Sequence, residues 1–284
     1  MNYRFKFLLS YLIFWIAIVI ASKILFLIVY FNNALSLDLS TIAGIFYHGA
    51  KLDISCIGYI FIFPLLVLFI TSFFSDKYTY AVLKIFNYFL LIVSPFLVIT
   101  DLILYRFWGF RLDNTPLLYI RNPDEMIASV STGLVILGIF SSVMLSTLLI
   151  YSYNRFSGLY LKNLIRATIT EKIVLGLLIP FLIIPVRGGF NTSPVNLSTA
   201  YFSSDNFANH AAINLFWNLG YSFTNKETKN NPYEFYDTDV AQQSFSVLMQ
   251  QSISEEKHIL QKRPNIILII IESFSSKIIE TLGG

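Results

Sequence analysis

FLLSYLIFWIAIVIASKILFLIVYF, residues 7–31, is the stretch that decides how this chain folds. Lys23 is its only charged residue. A helix needs about 20 apolar residues to cross a bilayer, because in hydrocarbon it must satisfy every backbone N–H and C=O internally. Arg4 and Lys6 precede the run, as they would in a secretory signal. A signal's apolar region is only about 7–15 residues long, however, and no small-residue cleavage site closes this one. Residues 8–31 are therefore expected to be a retained first span.

Four further segments read the same way: 54–74, containing Pro64; 80–105, with Lys84 near one end and Asp101 near the other; 128–151, without charge; and 170–187, short and carrying Pro180 and Pro185. Pro64, Pro95, Pro180 and Pro185 each remove a backbone donor and are expected to kink their helices. The fold class expected over 1–190 is a membrane all-α bundle of about five transmembrane helices. Composition agrees. The chain is 55% hydrophobic and 13% charged, with mean hydropathy +0.64, whereas soluble domains carry about 25% charged residues. A net charge of +3 is too weak to suggest a nucleic-acid partner, and none is expected. The single cysteine, Cys56, allows no intramolecular disulfide and no CxxC metal site, and reads as a small buried apolar residue. Lys23 and Lys84 would mark a polar pathway in some membrane proteins. Such lysines more often snorkel or face a neighbouring helix, and that is the reading adopted.

Orientation follows from the short loops. With a cytoplasmic N-terminus, the inside segments hold Arg4, Lys6, Lys77, Arg155, Lys162, Arg166 and Lys172, and the outside loops hold Lys51, Arg106, Arg111 and Arg121. Seven against four favours N-in. Five spans then place everything after Arg187 outside the cytoplasm, in a multi-pass protein of the plasma membrane.

Composition changes at Gly188-Gly189. Residues 191–263 are polar and aromatic and are expected to form an extracytoplasmic connector. Within it, Ser203–Phe223 has helical character, with Phe207, Ala211, Ile213, Leu215, Phe216, Trp217 and Leu219 on its apolar side. That helix is expected to lie on the membrane surface or to pack on the domain that follows. Asp237–Gln261 reads as a polar helix ending before Arg263-Pro264. His210 is expected to make a structural hydrogen bond.

The chemistry lies in RPNIILIIIESFS, residues 263–275. Six consecutive β-branched or leucyl residues, Ile266–Ile271, are far too few to span a membrane. They suit a strand buried on both faces, as in a parallel sheet between helices. The run ends in Glu272, and ligands in open α/β sheets bind beyond the carboxyl ends of strands. A carboxylate fixed there can hold a divalent cation, although a Glu at a strand end is more often a solvated edge. Ser273 or Ser275 would cap a following helix.

Pro264-Asn265, the apolar strand, Glu272-Ser273-Phe274-Ser275-Ser276-Lys277 and Leu282-Gly283-Gly284 resemble the opening of the catalytic domain in lipoteichoic acid synthase-like proteins, phosphoglycerol transferases of the sulfatase and alkaline phosphatase superfamily. Arg187-Gly188-Gly189, Ala200-Tyr201-Phe202-Ser203 and Asn209-His210-Ala211-Ala212-Ile213-Asn214 resemble that family's connector, and five spans before an outside domain match its layout. The resemblance implies that 264–284 begins an α/β alkaline phosphatase-like domain, with Glu272 as a ligand of a divalent metal, Mn²⁺ or Mg²⁺. It implies a threonine nucleophile that attacks a phospholipid such as phosphatidylglycerol and passes the phosphoryl group to an envelope glycolipid or polymer, the metal neutralising charge on the transferring group. The family's threonine lies tens of residues beyond the metal Glu. It is therefore absent from this chain, Thr281 is too close to serve, and the 284 residues alone are expected to be inactive. His48, His210 and His258 do not match the family's metal histidines. A phosphoethanolamine transferase or a sulfatase of the same superfamily is the alternative enzyme. A catalytically empty membrane scaffold is the alternative if the chain truly ends at 284. A transporter fits less well, since the intramembrane charges are few and off-centre.

Overall fold

The computed structural model describes residues 2–74, 78–119, 131–190, 193–224, 235–250 and Ile267. The chain divides into two compact units, Met1–Lys226 and Glu227–Gly284. Among the described residues helix predominates and no strand occurs.

In chain order the helices of the first unit are α1 (Tyr3–Val29), α2 (Phe31–Leu35), α3 (Leu39–Thr71), α4 (Thr79–Trp108), α5 (Thr115–Tyr119), α6 (Thr132–Phe156), α7 (Gly158–Leu161), α8 (Ile169–Phe181), α9 (Ile183–Arg187), α10 (Asn206–Ala212) and α11 (Leu215–Ser222). A 3₁₀ turn covers Leu197–Ala200. Five helices are long and apolar enough to cross a membrane: α1, α3, α4, α6 and the α8–α9 pair. The sequence boundaries differ most at α3, which starts at Leu39 rather than at 54. Its 33 residues make a rod of about 50 Å, longer than a ~30 Å hydrocarbon core, so one end projects.

Local chemistry explains the helix ends. Asp38 caps α3 by accepting from the Thr41 N–H at 3.1 Å. Its carboxyl is held below the usual aspartate range, chiefly by the hydrogen bond from Ser40, with help from Thr41. Thr168 and Glu171 form a reciprocal capping box at the start of α8. Gly109 (φ 70°) and Gly188 (φ 78°) close α4 and α9 in the left-handed conformation that glycine adopts freely. Pro64 and Pro95 stay inside continuous helices. Pro185 has no N–H for the carbonyl of Phe181, and the fifth span breaks there into α8 and α9.

Packing follows the polarity of each face. Gly138, Ser142 and Ser146 lie four residues apart on the buried side of α6. This small-residue stripe lets α4 approach closely, with Ile103 against Gly138 and the Ser146 hydroxyl 3.4 Å from the Ile92 carbonyl. The opposite face of α6 exposes Val135, Ile136, Ile139, Phe140, Val143 and Leu148, a patch expected to meet lipid rather than water. The interior has two cores. One gathers Phe7, Tyr11, Trp15, Leu65, Leu68, Leu83, Leu91, Tyr153 and Leu175. The other gathers Phe26, Leu52, Cys56, Val98 and Leu102 with residues of α10 and α11. Cys56 is buried there with its thiol free, as a small apolar residue would be.

The connector differs from its sequence reading. Ser203–Phe223 is two short helices, not one, because Asn214 leaves the helical conformation to cap α11 through the Trp217 N–H (2.9 Å), just as Asp205 caps α10 through Ala208 (3.1 Å). Within the first unit much of the apolar side turns inward. Ala208, Ala211, Ala212, Ile213 and Leu215 are buried against the bundle itself.

The second unit contains α12 (Thr238–Gln250). It coincides with the first part of the helix expected at Asp237–Gln261. Residues 251–261, the expected strand Ile266–Ile271 apart from Ile267, and Glu272, Thr281 and His258 lie outside the described residues.

Candidate functional site

Among the described residues buried charge gathers in two places: Arg4 and Glu171, 3.9 Å apart between α1 and α8, and the seam between the bundle and α10–α11, where two ion pairs lie. Lys23 on α1 sits three residues, hence one helical turn, before Phe26, so the two share a face. The Lys23 Nζ donates to Asp53 Oδ2 of α3 at 2.5 Å. The other oxygen of Asp53 accepts from Asn214 Nδ2 at 2.8 Å. A span lysine that sequence alone leaves snorkelling therefore has a fixed partner, and the connector completes the pair.

The second pair is more enclosed. Arg111 is 4% exposed and Asp101 2%. Arg111 Nε lies 3.0 and 3.2 Å from the two Asp101 oxygens, and Nη2 lies 2.9 Å from Oδ2. Its remaining nitrogen, Nη1, donates to the backbone carbonyls of His210 (3.0 Å) and Ile213 (3.4 Å). The guanidinium also rests 4.3 Å from the centre of the Phe26 ring. Asp101 Oδ1 accepts from the Leu112 N–H at 2.7 Å. The planar fork of arginine suits this task, since it grips a carboxylate on one edge and the end of a helix on the other.

Neutral hydrogen bonds extend the seam. Trp217 Nε1 donates to the Ser55 hydroxyl (3.0 Å), which donates in turn to the Val186 carbonyl (2.7 Å). Asn218 Nδ2 donates to the Leu112 carbonyl (2.9 Å). The Tyr105 hydroxyl and His210 Nδ1 share a 3.0 Å hydrogen bond, so His210 does make a structural bond. Burial, and then repulsion from Arg111, pull the His210 pKa below its ordinary value against the opposing effect of Asp205. The imidazole is thus neutral at pH 7. His48 stacks on Phe202 at 4.6 Å and takes part in the same docking of connector on α3.

These charged groups are saturated by partners. They clamp α10–α11 to α1, α3 and α4. Among the described residues no group of three or more His, Cys, Asp and Glu side chains could hold a metal ion. Glu272, the metal ligand expected from sequence, lies outside those residues. Lys84, by contrast, lies near the Tyr80 and Tyr88 rings, its ammonium 5.7 and 5.2 Å from their centres.

Beside the seam a polar cavity of about 570 Å³ lies between the start of the connector and α3, with Lys51, Arg187, Asn196, Ser198 and Thr199 on its walls. Sequence reasoning missed both the clamp and this cavity. The signals it had were a lone lysine in a span, an aspartate at the edge of another, and Arg111 shortly after a third. No protein-family model matches the chain, and no solved structure matches it.

Proposed function

We propose that this chain is the membrane and connector part of a metal-dependent extracytoplasmic phosphotransferase of the lipoteichoic acid synthase kind. The observation that carries the reading is the sequence Pro264–Lys277, a short apolar run ending in Glu272-Ser273-Phe274-Ser275-Ser276, set after five apolar helices and a connector. The described architecture supports it in two ways. A catalytic domain acting on membrane lipid needs a mount near the bilayer, and the described part of the connector, through α10–α11, is fixed to the bundle by hydrogen bonds to buried ion pairs. The polar cavity adds two cations, Lys51 and Arg187, near hydroxyl and amide groups, a set suited to an anionic headgroup.

In this reading Glu272 holds part of a divalent metal site. The metal, when bound, offsets negative charge on the transferring phosphoryl group. Phosphatidylglycerol is the donor, an envelope glycolipid or polymer the acceptor, and the nucleophile a threonine outside these 284 residues.

The test is headgroup transfer in membranes carrying the protein expressed from its full reading frame. Fluorescent phosphatidylglycerol should yield diacylglycerol in the presence of Mn²⁺ or Mg²⁺. The Glu272→Ala variant should lose on the order of 100-fold or more, since even outer-sphere partners of metal ligands are worth about 10–100-fold. Unchanged turnover in Glu272→Ala would remove the basis of the proposal. Transfer from phosphatidylethanolamine in place of phosphatidylglycerol would move the protein to the phosphoethanolamine transferases.

A further inference from the structure

An apolar cavity of about 540 Å³ lies between α3 and α4 and is bounded on a third side by α11. Tyr59 and Ile60 form one wall, Leu90, Ser94 and Leu97 the other, and Tyr221 belongs to α11. The Phe63 and Phe86 rings, 4.4 Å apart, close the α3–α4 seam one turn further along. The cavity is open beside Tyr59, which is 56% exposed, and beside Phe223 at the end of α11. Both walls are helices of membrane-spanning length and composition, so in a bilayer the opening beside Tyr59 would face lipid.

Two side chains that line the cavity hold a polar atom without a hydrogen-bond partner among the described residues: the indole Nε1 of Trp15 on α1 and the hydroxyl of Ser94. Ser94 is 6% exposed, and its hydroxyl makes no hydrogen bond among the described residues. Serines elsewhere in the bundle turn their hydroxyls to a backbone carbonyl: Ser22 to Val19, Ser142 to Gly138 and Ser146 to Ser142 within their own helices, and Ser55 to Val186. Ser94 does not, although it sits in the same kind of helix. A buried O–H in an apolar site calls for an acceptor oxygen from a ligand. Gly220 of α11 also lines the cavity, and a Cβ placed there would meet nothing within 4 Å.

We propose that this cavity seats one acyl chain of a membrane glycerolipid, with an ester oxygen of that chain accepting the Ser94 hydroxyl. The volume falls within the ~300–1,000 Å³ of ordinary ligand pockets. The opening beside Tyr59 admits a chain without taking its headgroup out of the interface. The seat is separate from the catalytic reading and requires no chemistry of the headgroup.

The test uses the protein in nanodiscs of phosphatidylcholine carrying a diazirine in one acyl chain, so the result does not depend on any transferase activity. Illumination should label peptides covering 56–60, 90–97 and 216–224 above the lipid-facing surface 135–148. Gly220→Phe adds a ring at a residue that lines the cavity, where a Cβ meets no atom within 4 Å, and should cut labelling at 90–97 several-fold while leaving 135–148 and the unfolding midpoint unchanged. Ser94→Ala should lower labelling by the diester lipid about fivefold, the worth of one hydrogen bond, and leave labelling by a diether analogue unaltered. Labelling at 90–97 no greater than at 135–148, or unaffected by Gly220→Phe, overturns the seat. Equal labelling of Ser94→Ala and wild type by the diester overturns the role given to the hydroxyl.

Discussion

Lys23 shows how a charge inside an apolar helix is tolerated. Its ammonium is desolvated, but it meets Asp53 at 2.5 Å, and Asn214 occupies the carboxylate's second oxygen. A buried pair of this sort contributes little over an apolar replacement, yet breaking it leaves an uncompensated charge that costs about 3–5 kcal/mol. Lys23→Met should therefore lower the unfolding midpoint in detergent sharply. Lys23→Met combined with Asp53→Asn should recover most of the loss, because the new amide oxygen still accepts from Asn214. A single variant that melts like the wild type would show that the pair does not hold the seam. Sequence displayed Lys23 as the one charge of its span but could not show its partner. Asp53 falls one residue before the apolar run 54–74, and Arg111 reads as a loop charge that only sets topology. The pairing joins residues 30 and 161 positions apart, and no local pattern encodes that.

At the scale of elements, the contact between α3 and α10 depends on an absent side chain. A Cβ at Gly49 would run into the Ala212 carbonyl and the Lys23 ammonium. The obstruction on one side is backbone, so α10 would have to move. Gly49→Ala should cost about 1–3 kcal/mol by overpacking and speed proteolysis within 190–224. Gly133→Ala, where a Cβ meets nothing within 4 Å, is the control and should be neutral or slightly stabilising through helix propensity. Equal protease sensitivity in the two variants would mean that close approach at Gly49 does not govern docking. The same contact explains why α3 was only half legible in sequence. Its first turns carry Ser40, His48, Lys51 and Asp53, too polar for an apolar window, and they are helical because Asp38 caps them and the connector covers them. The long apolar runs of α1, α4 and α6 needed no such partner, and their positions were readable within a few residues. The split of Ser203–Phe223 was not, since a mid-pattern Asn214 declares itself a cap only once α10 and α11 have something to bury against.

For the whole molecule, the decisive geometry is which ends of the helices lie together. One core joins the start of α1 to the end of α3, the start of α4 and the region around Tyr153–Leu175. The other joins the end of α1 to the first half of α3, the end of α4 and the connector. The helices thus alternate in direction, and the connector lies at the end of the bundle away from Arg4. If the bundle spans a membrane, the loop 157–168 and the segment 193–200 must lie on opposite sides. The excess of Lys and Arg at the Arg4 end is the ground for proposing that this end is cytoplasmic, because such charges resist translocation while a chain inserts. Single cysteines test this in a Cys56→Ser background. Ser193→Cys, at an exposed site of the connector, should react with a membrane-impermeant maleimide in intact cells. Asn163→Cys, exposed at the other end, should react only after permeabilisation. The reverse pattern would put Pro264–Lys277 on the cytoplasmic side, where envelope glycolipid or polymer is not on hand, and the extracytoplasmic transferase would fall with it. Labelling of both sites in intact cells would contradict the crossing itself, since helices that alternate through a bilayer cannot show both ends to one compartment.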